Sequence, residues 1–119
     1  MPRDAAYVLD ILDAARRIQA YVTGIDKATF ETDGMRQDAI IRRIEIIGEA
    51  TKRLSMEYRA RHPEIAWQQM AGMRDVLIHS YDAVDVERVW NTATIAIPDL
   101  IAKLEPLAQA DDEIDKGEP

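Results

Sequence analysis

Apolar residues recur at intervals of three and four positions along most of the chain, a spacing typical of amphipathic helices. The first such stripe predicts a helix over residues 4–23, and its members are Val8, Ile11, Ala15, Ile18 and Val22. Asp4 is suited to cap the start of this helix, and Gly24 stands where a glycine commonly ends one. A short irregular segment, residues 25–34, follows, and we expect it to hold one helical turn around Phe30.

The second stripe is the longest and predicts one helix over residues 35–61, capped at its start by Asp33. Its members are Ile40, Ile44, Ile47, Thr51, Leu54 and Tyr58. A second apolar row on the same helix consists of Ile41, Ile46 and Ala50. A helix that is apolar on two sides contacts two neighbours, in a bundle or at a subunit interface. Because a glycine inside a helix costs about 1 kcal/mol relative to alanine, we expect Gly48 to permit the close approach of another backbone.

Pro63 ends the long helix. The pattern then predicts a third helix over residues 66–78, a turn over residues 80–84 and a fourth helix that begins near Asp85. The inward residues of the third helix are Met70, Met73 and Leu77. Those of the fourth are Val86, Val89, Trp90, Ala93, Ile97, Leu100, Ile101, Leu104 and Leu107. Since proline lacks a backbone N–H, we expect a kink at Pro98 or a restart of the helix there.

Together these elements predict an all-α fold, a four- to five-helix up-and-down bundle. No stretch shows the alternation typical of a β-strand. We expect one folded domain over residues 1–109. The last ten residues, 110–119, are acidic and end in Gly and Pro, so we expect them to form a disordered tail.

Composition narrows the class of protein. The chain has 119 residues, of which 47% are hydrophobic, so it can bury one modest core that pairing with another chain would enlarge. It has no cysteine, which excludes disulfides and thiolate metal sites. Asp4 and Asp10 interrupt any apolar run at the start, so we expect no signal peptide and a cytoplasmic protein. The net charge of −7 argues against broad, non-specific nucleic-acid binding but is compatible with a local basic cleft.

The sequence contains no glycine-rich phosphate loop, no zinc-binding pattern and no serine nucleophile elbow. Its two histidines are His62 and His79. His62 precedes Pro63, and we expect it to be a helix-end residue. His79 lies in a segment that also contains Arg74, Asp75 and Tyr81, and this segment is the candidate for chemistry. We expect neither a metal nor a cofactor.

The spacing within this segment constrains its geometry. Arg74 and Tyr81 are seven positions apart and would share a face of a continuous helix. His79 would point about 140° away from Arg74 on an ideal helix. The two can act together if the helix ends near His79, or if a twofold pairing of this helix brings two copies of each residue into one cleft. Near a helix C-terminus the macrodipole favours the protonated imidazole, which suits a general acid.

The pattern Arg-x-x-x-x-His-x-Tyr, met by Arg74, His79 and Tyr81, resembles the signature of the HepT branch of the HEPN superfamily. The surrounding sequence agrees with this resemblance, which covers roughly residues 5–107. The agreeing stretches are Ile47-Gly48-Glu49-Ala50, Trp67, Gly72-Met73-Arg74, Val84-Asp85 and Val89-Trp90.

The resemblance implies a homodimer in which two signatures face one cleft, and a metal-independent endoribonuclease acting on RNA such as tRNA or mRNA. On this reading the RNA 2′-hydroxyl attacks the adjacent phosphorus, and His79 handles the proton as base or acid. Arg74 holds the phosphate, because its planar fork binds phosphate oxygens in pairs. Asp75 is an auxiliary residue, four positions before His79, that orients the ring or supports the helix turn.

The resemblance also implies a place in a type VII-like toxin–antitoxin system. HepT-like toxins are neutralised by a MntA-like nucleotidyltransferase antitoxin that transfers AMP to the signature tyrosine. Tyr81 is the matching position in this chain. AMP on Tyr81 would add a bulky anion beside Arg74, occupy the cleft and repel RNA.

Other hypotheses stay open on the sequence. One is a catalytically silent helical dimer that binds a nucleotidyltransferase partner or a nucleotide, and the acidic net charge favours it somewhat. Another is a plain structural bundle in which Arg74 is a surface arginine paired with Asp75 or another acidic neighbour, and Tyr81 packs on the turn. Arg42 and Arg43 are expected to be ordinary exposed residues, with RNA binding as the alternative.

Overall fold

A computed structural model describes residues 2–80 and 83–117 of the chain, and it confirms the all-α fold. In chain order the elements are α1 (Pro2–Val22), α2 (Lys27–Glu31), α3 (Gly34–Arg53), α4 (Met56–Arg61), α5 (Trp67–Leu77), β1 (Ile78–Ser80), β2 (Ala83–Val84), α6 (Val86–Asn91), a π-helical segment (Thr92–Ala96) and α7 (Ile97–Gly117). The longer helices α1, α3, α5 and α7 form the bundle. The elements α2 and α4 are short helices in the connections.

The core lies where the predicted apolar stripes meet. α1 packs against α3 on one side and α7 on the other, and α3 also packs against α5. Fully buried side chains come from each of these stripes, namely Val8, Ile11, Ala15, Ile18, Ile40, Ile44, Ile47, Leu77, Ala93, Ile97 and Leu104. Phe30, on α2, is fully buried as well, so the connection between α1 and α3 closes one end of the core. The two-sided apolar pattern of the second predicted helix is thus explained by its two neighbours, α1 and α5.

The prediction of one helix over residues 35–61 is wrong, because α3 ends at Arg53 and α4 begins at Met56. Leu54 and Ser55 between them have extended backbones. Ser55 caps α4 by accepting from the Tyr58 N–H. Asp4 stabilises the break, since its carboxylate accepts from the Ser55 N–H at 2.9 Å and from the Ser55 hydroxyl at 2.8 Å.

The predicted capping role of Asp4 is therefore also wrong. Asp4 lies inside α1 and is 5% exposed, and its carboxylate is used between elements rather than at the start of its own helix. A buried carboxylate needs such donors, because burying a charge without hydrogen bonds is costly. Both oxygens of Asp4 have them in Ser55.

Three other predicted helix ends are confirmed. Gly24 has a φ of 81°, the left-handed conformation that glycine adopts readily at the end of a helix. Asp33 caps α3 by accepting from the Arg36 N–H at 3.0 Å. Asp85 caps α6 by accepting from the Arg88 N–H at 3.1 Å. These caps fix where the bundle helices begin and end around the connections.

The predicted restart of the last helix at Pro98 is not observed, because α6, the π-helical segment and α7 follow one another without a gap and α7 begins at Ile97. The predicted kink at Pro98 stays a prediction. Because Pro98 has no N–H, the regular hydrogen-bond ladder cannot continue through it. The Ile97 N–H instead donates to the Thr92 carbonyl, which widens the preceding turn into a π-helical segment. α7 then runs from Ile97, with Pro98 in its first turn.

α7 is helical as far as Gly117, beyond the predicted domain boundary between residues 109 and 110. The Tyr58 hydroxyl donates to Asp111 at 3.1 Å, which connects the first part of the acidic segment to α4. The boundary and the disordered tail stay predictions. Among the helices of the described residues, none combines the length and the apolar character that a membrane crossing requires.

Candidate active site

The candidate site begins on α5, whose backbone comes close to α3 at Gly48. A Cβ built on Gly48 of α3 would be 3.2 Å from the carbonyl oxygen of Ala71 and 3.5 Å from that of Met70. The first of these distances is tighter than most Cβ contacts, so a side chain at this position would require the Ala71 carbonyl to shift by a few tenths of an ångström. The prediction that Gly48 permits the close approach of another backbone is confirmed.

Arg74 lies in the last turn of α5, and its side chain is 48% exposed. Its Nε atom is 3.3 Å from Oε2 of Glu45 on α3, and its Nη1 atom is 3.7 Å from Oδ1 of Asp75. The side chain of Glu45 is 36% exposed, whereas that of Asp75 is 84% exposed. Arg74 is therefore held on one edge by a half-buried carboxylate and approached on another by a solvated one.

Sequence reasoning did not identify Glu45 as a site residue. It lies among alternating charges on the long helix, and nothing in its local sequence distinguishes it from Glu49 one turn further on. The geometry separates the two residues. The side chain of Glu49 is 67% exposed and pairs with Lys52 at 3.8 Å, whereas Glu45 faces Arg74. Only the crossing of α3 over α5 provides that information.

α5 ends at Leu77, two residues before His79. The backbone therefore meets the first of the two conditions under which Arg74 and His79 could act together, which is that the helix ends near His79. Ile78 to Ser80 form the short strand β1, which pairs antiparallel with β2, with Ile78 opposite Val84 and Ser80 opposite Ala83. The Asp85 N–H donates to the Leu77 carbonyl at 2.9 Å and closes this end of the helix. The predicted helix end at residue 78 is correct to within one residue.

His79 is therefore carried by an extended segment that directly follows the Arg74 helix. The angle of about 140° between Arg74 and His79, which holds for an ideal helix, does not apply because His79 is not part of α5. The side chain of His79 and the whole of Tyr81 lie outside the described residues. Their predicted roles stay predictions.

An apolar groove lies on α5 beside the Arg74 turn. It has a volume of about 480 Å³ and runs between α5 and the α6–α7 region. Its apolar lining includes Met70, Met73, Leu77, Ile97 and Leu100, and its charged lining includes Arg88, Asp99 and Lys103. Met73 is only half-buried in a single chain, in contrast to the core position that its spacing predicts. A concave, mostly apolar surface of this kind, with a few charged groups at hand, is typical of a binding site.

His62 has the structural role expected of it. It caps the end of α4, and its carbonyl accepts from the Trp67 indole N–H at 2.9 Å. Its ring lies 4.7 Å from that of Tyr58, and its Nδ1 atom is 3.6 Å from a Glu64 oxygen. Burial raises the pKa of the Tyr58 phenol well above its ordinary value, and the nearby Asp111 carboxylate adds to this effect. This cluster joins α4 to α7 and takes no part in the Arg74 site.

No cluster of three or more metal-binding side chains (histidine, cysteine, aspartate or glutamate) is found in the described parts of the chain. Within the described parts of the chain, two carboxylates, those of Glu45 and Asp75, contact the Arg74 guanidinium. What this arrangement offers chemically is an oriented, half-exposed guanidinium at a helix end.

Comparison with known proteins adds a family relationship. A family model described as "Ribonuclease HepT-like" matches residues 11–107. A protein of Thermococcus cleftensis named "Probable ribonuclease HepT" is 44% identical over 101 residues, which cover 85% of this chain and 92% of the relative. A protein of Caldanaerobacter subterraneus named "Putative RNase" is 37% identical over 103 residues, 87% of this chain and 92% of the relative. No solved structure matches the chain.

Proposed function

Because the chain belongs to the HepT-like ribonuclease family of the HEPN superfamily, we propose that it is an endoribonuclease that cleaves RNA without a metal ion. The observation that carries this proposal is the position of Arg74. Its guanidinium is half-exposed in the last turn of α5, immediately before the extended segment that contains His79. A cation fixed at such a point can hold a phosphate next to a group that moves protons.

The reaction proposed is a transesterification within the RNA. The 2′-hydroxyl loses its proton and its oxygen attacks the adjacent phosphorus, so that an O2′–P bond forms and the P–O5′ bond breaks. The products are a 2′,3′-cyclic phosphate end and a 5′-hydroxyl end. His79 takes the proton from the 2′-hydroxyl or delivers one to the departing 5′ oxygen. Arg74 binds the non-bridging phosphate oxygens and offsets the charge that grows on them in the transition state.

We also propose that the active form is a homodimer, with the apolar groove on α5 at or near the interface. Met70, Met73 and Leu77 line this groove from the same helix that carries Arg74. A twofold contact along that helix would bury the groove and bring both copies of Arg74 and His79 towards one cleft. Met73 is half-buried in the single chain, and pairing would remove its exposed apolar surface from water.

The biological role that we propose is that of a toxin in a type VII-like toxin–antitoxin system. A MntA-like nucleotidyltransferase would neutralise it by transferring AMP from ATP to Tyr81, so that the phenolic oxygen bonds to the α-phosphorus and pyrophosphate leaves. Tyr81 follows the last residue of β1, two positions after His79, so an added phosphate would bring negative charge to the segment that the substrate phosphate must approach. RNA as substrate and such an antitoxin as partner would both place the protein in the cytoplasm.

A second candidate is a catalytically silent dimer that binds the nucleotidyltransferase, or a nucleotide, without cleaving RNA. The specific observation in its favour is that two carboxylates, Glu45 and Asp75, already contact the guanidinium of Arg74. Together with the net charge of −7, they reduce the attraction that the site exerts on RNA.

An RNase assay on total tRNA and mRNA in the presence of EDTA separates these candidates. The protein must first be shown to be folded by circular dichroism and free of AMP by mass spectrometry. Cleavage that leaves 2′,3′-cyclic phosphate ends supports the ribonuclease. An absence of cleavage at every enzyme concentration, with a stable nucleotidyltransferase complex, supports the silent dimer.

A further inference from the structure

The contact between α3 and α5 brings the carboxylate of Glu45 to Arg74, the residue proposed to bind the RNA phosphate. Gly48 meets the backbone of α5 at Ala71. One turn earlier on α3 is Glu45, and one turn later on α5 is Arg74, and these two side chains meet at 3.3 Å. Both contacts, Gly48 with Ala71 and Glu45 with Arg74, therefore result from one antiparallel crossing of α3 and α5. The close approach at Gly48 brings Glu45 within reach of the guanidinium.

The atoms involved decide what this contact can do. Glu45 forms an ion pair with Arg74, in which its Oε2 atom lies 3.3 Å from Nε, the nitrogen at the inner edge of the guanidinium. A planar guanidinium has five N–H donors, and those on its Nη atoms stay available for a phosphate. The second carboxylate, Asp75, is 3.7 Å from Nη1 and its side chain is 84% exposed. Such a distant, solvated contact is weak, so a phosphate can replace it.

We propose that Glu45 is a positioning residue for the ribonuclease reaction: it holds Arg74 through Nε and presents the Nη donors to the RNA phosphate. This role rests on the proposed function of Arg74. The same carboxylate carries a negative charge beside the phosphate site, so it repels RNA while it orients the arginine. Glu45 therefore increases the rate of the chemical step and weakens substrate binding.

These opposite effects give a signature that a purely structural residue would not produce. Glu45→Gln removes the charge but keeps a carbonyl oxygen that can accept from Nε. This variant keeps most of the wild-type kcat and shows a lower KM. Glu45→Ala removes the acceptor as well, and kcat falls by about 10- to 100-fold because misplaced catalytic groups lose that much. Its KM does not rise.

The test is steady-state cleavage of one RNA by the full-length protein, with kcat and KM determined separately for each variant. Glu49→Ala and Glu49→Gln are the matched controls, since Glu49 lies one turn further on α3 and pairs with Lys52 instead. Both controls keep wild-type kinetics. Circular dichroism and thermal unfolding establish that each variant is folded, and Glu45→Gln remains informative if Glu45→Ala does not fold.

The outcomes distinguish this role from the proposed function. If the wild type cleaves RNA, Arg74→Ala does not, and Glu45→Ala keeps the wild-type kcat, then Glu45 has no positioning role but the ribonuclease assignment stands. If Glu45→Gln loses kcat as fully as Glu45→Ala, the proposal that an acceptor oxygen beside Nε is enough to position Arg74 is overturned. If the wild type cleaves no RNA, or Arg74→Ala cleaves as well as the wild type, the function of Arg74 fails and this role fails with it.

Discussion

The chemistry proposed at the residue scale depends on the shape of the Arg74 guanidinium as much as on its charge. One edge contacts Glu45, which leaves the Nη donors for a phosphate. Arg74, Asp75, His79 and Tyr81 could be proposed as site residues from the sequence because they form a local pattern. Glu45 could not, because its partner lies on another helix and the crossing angle of two helices is not encoded in either helix alone. The roles of His79 and Tyr81 stay predictions, since neither side chain is described.

Replacing Arg74 with Lys tests the shape of the donor directly. Lysine keeps the positive charge but offers one ammonium group instead of a planar fork, and it cannot keep both Glu45 and a phosphate in the same geometry. We expect Arg74→Lys to lose roughly 100-fold in kcat, comparable to the loss of a preorganised donor to a developing charge. The measurement is kcat on a single RNA, beside Arg74→Ala. Wild-type kcat in the lysine variant would mean that a point charge is sufficient.

At the scale of helices, the contact of α3 with α5 determines where Glu45 and Arg74 meet. The sequence predicted the close approach at Gly48, because a glycine inside a helix is destabilising and is therefore typical of a position where another backbone comes close. It did not predict the break between α3 and α4. Leu54 and Tyr58 are four positions apart and both buried, so the apolar period continues across Ser55 as if the helix did. The donors that Ser55 supplies to Asp4 explain the break, and they join residues 51 positions apart in the sequence.

Substitution of Gly48 by Ala tests the role of this contact. Alanine gains about 1 kcal/mol of helix propensity over glycine, but here its Cβ would lie 3.2 Å from the Ala71 carbonyl. We expect Gly48→Ala to separate the helices slightly, to lose the propensity gain and to lower kcat by moving Glu45 from Arg74. Gly72→Ala is the control, because a Cβ on Gly72 of α5 would meet nothing within 4 Å.

The measurements for this pair are the free energy of unfolding in urea and kcat. Gly72→Ala should be more stable than the wild type, by up to about 1 kcal/mol. Equal stabilisation of both variants, with unchanged kcat in both, would show that an alanine side chain fits between α3 and α5 at Gly48 without moving Glu45.

The whole molecule combines an acidic surface with an apolar groove next to its candidate site. The sequence indicated the first feature through its net charge of −7, and its 47% of hydrophobic residues predicted a modest core that a partner chain would enlarge. It could not locate the groove, because Met73 follows the same periodicity as buried Met70 and only the surrounding helices leave it half-open. A homodimer formed through the groove would explain why this apolar surface lies on the helix that carries Arg74.

A charge placed in the groove should prevent such a dimer. We expect Met73→Glu to shift the protein towards monomers and to reduce RNA cleavage, since burying an unpaired carboxylate in an apolar interface is costly. Met35→Glu is the control, because Met35 is 86% exposed and lies outside the groove. Analytical ultracentrifugation over a range of concentrations measures the association. A wild-type monomer would contradict the dimer, and an unchanged Met73→Glu dimer would place the interface elsewhere.

The central claim is that the segment from Arg74 to Tyr81 performs the chemistry, and the two histidines allow its most direct test. RNA cleavage in EDTA is compared between the wild type, His79→Ala and His62→Ala, with circular dichroism as the check on folding. We expect His79→Ala to lose at least about 100-fold in kcat, as the removal of a general acid or base does. His62→Ala should keep its activity, because His62 packs on Tyr58 away from Arg74. Full activity in His79→Ala would contradict the account.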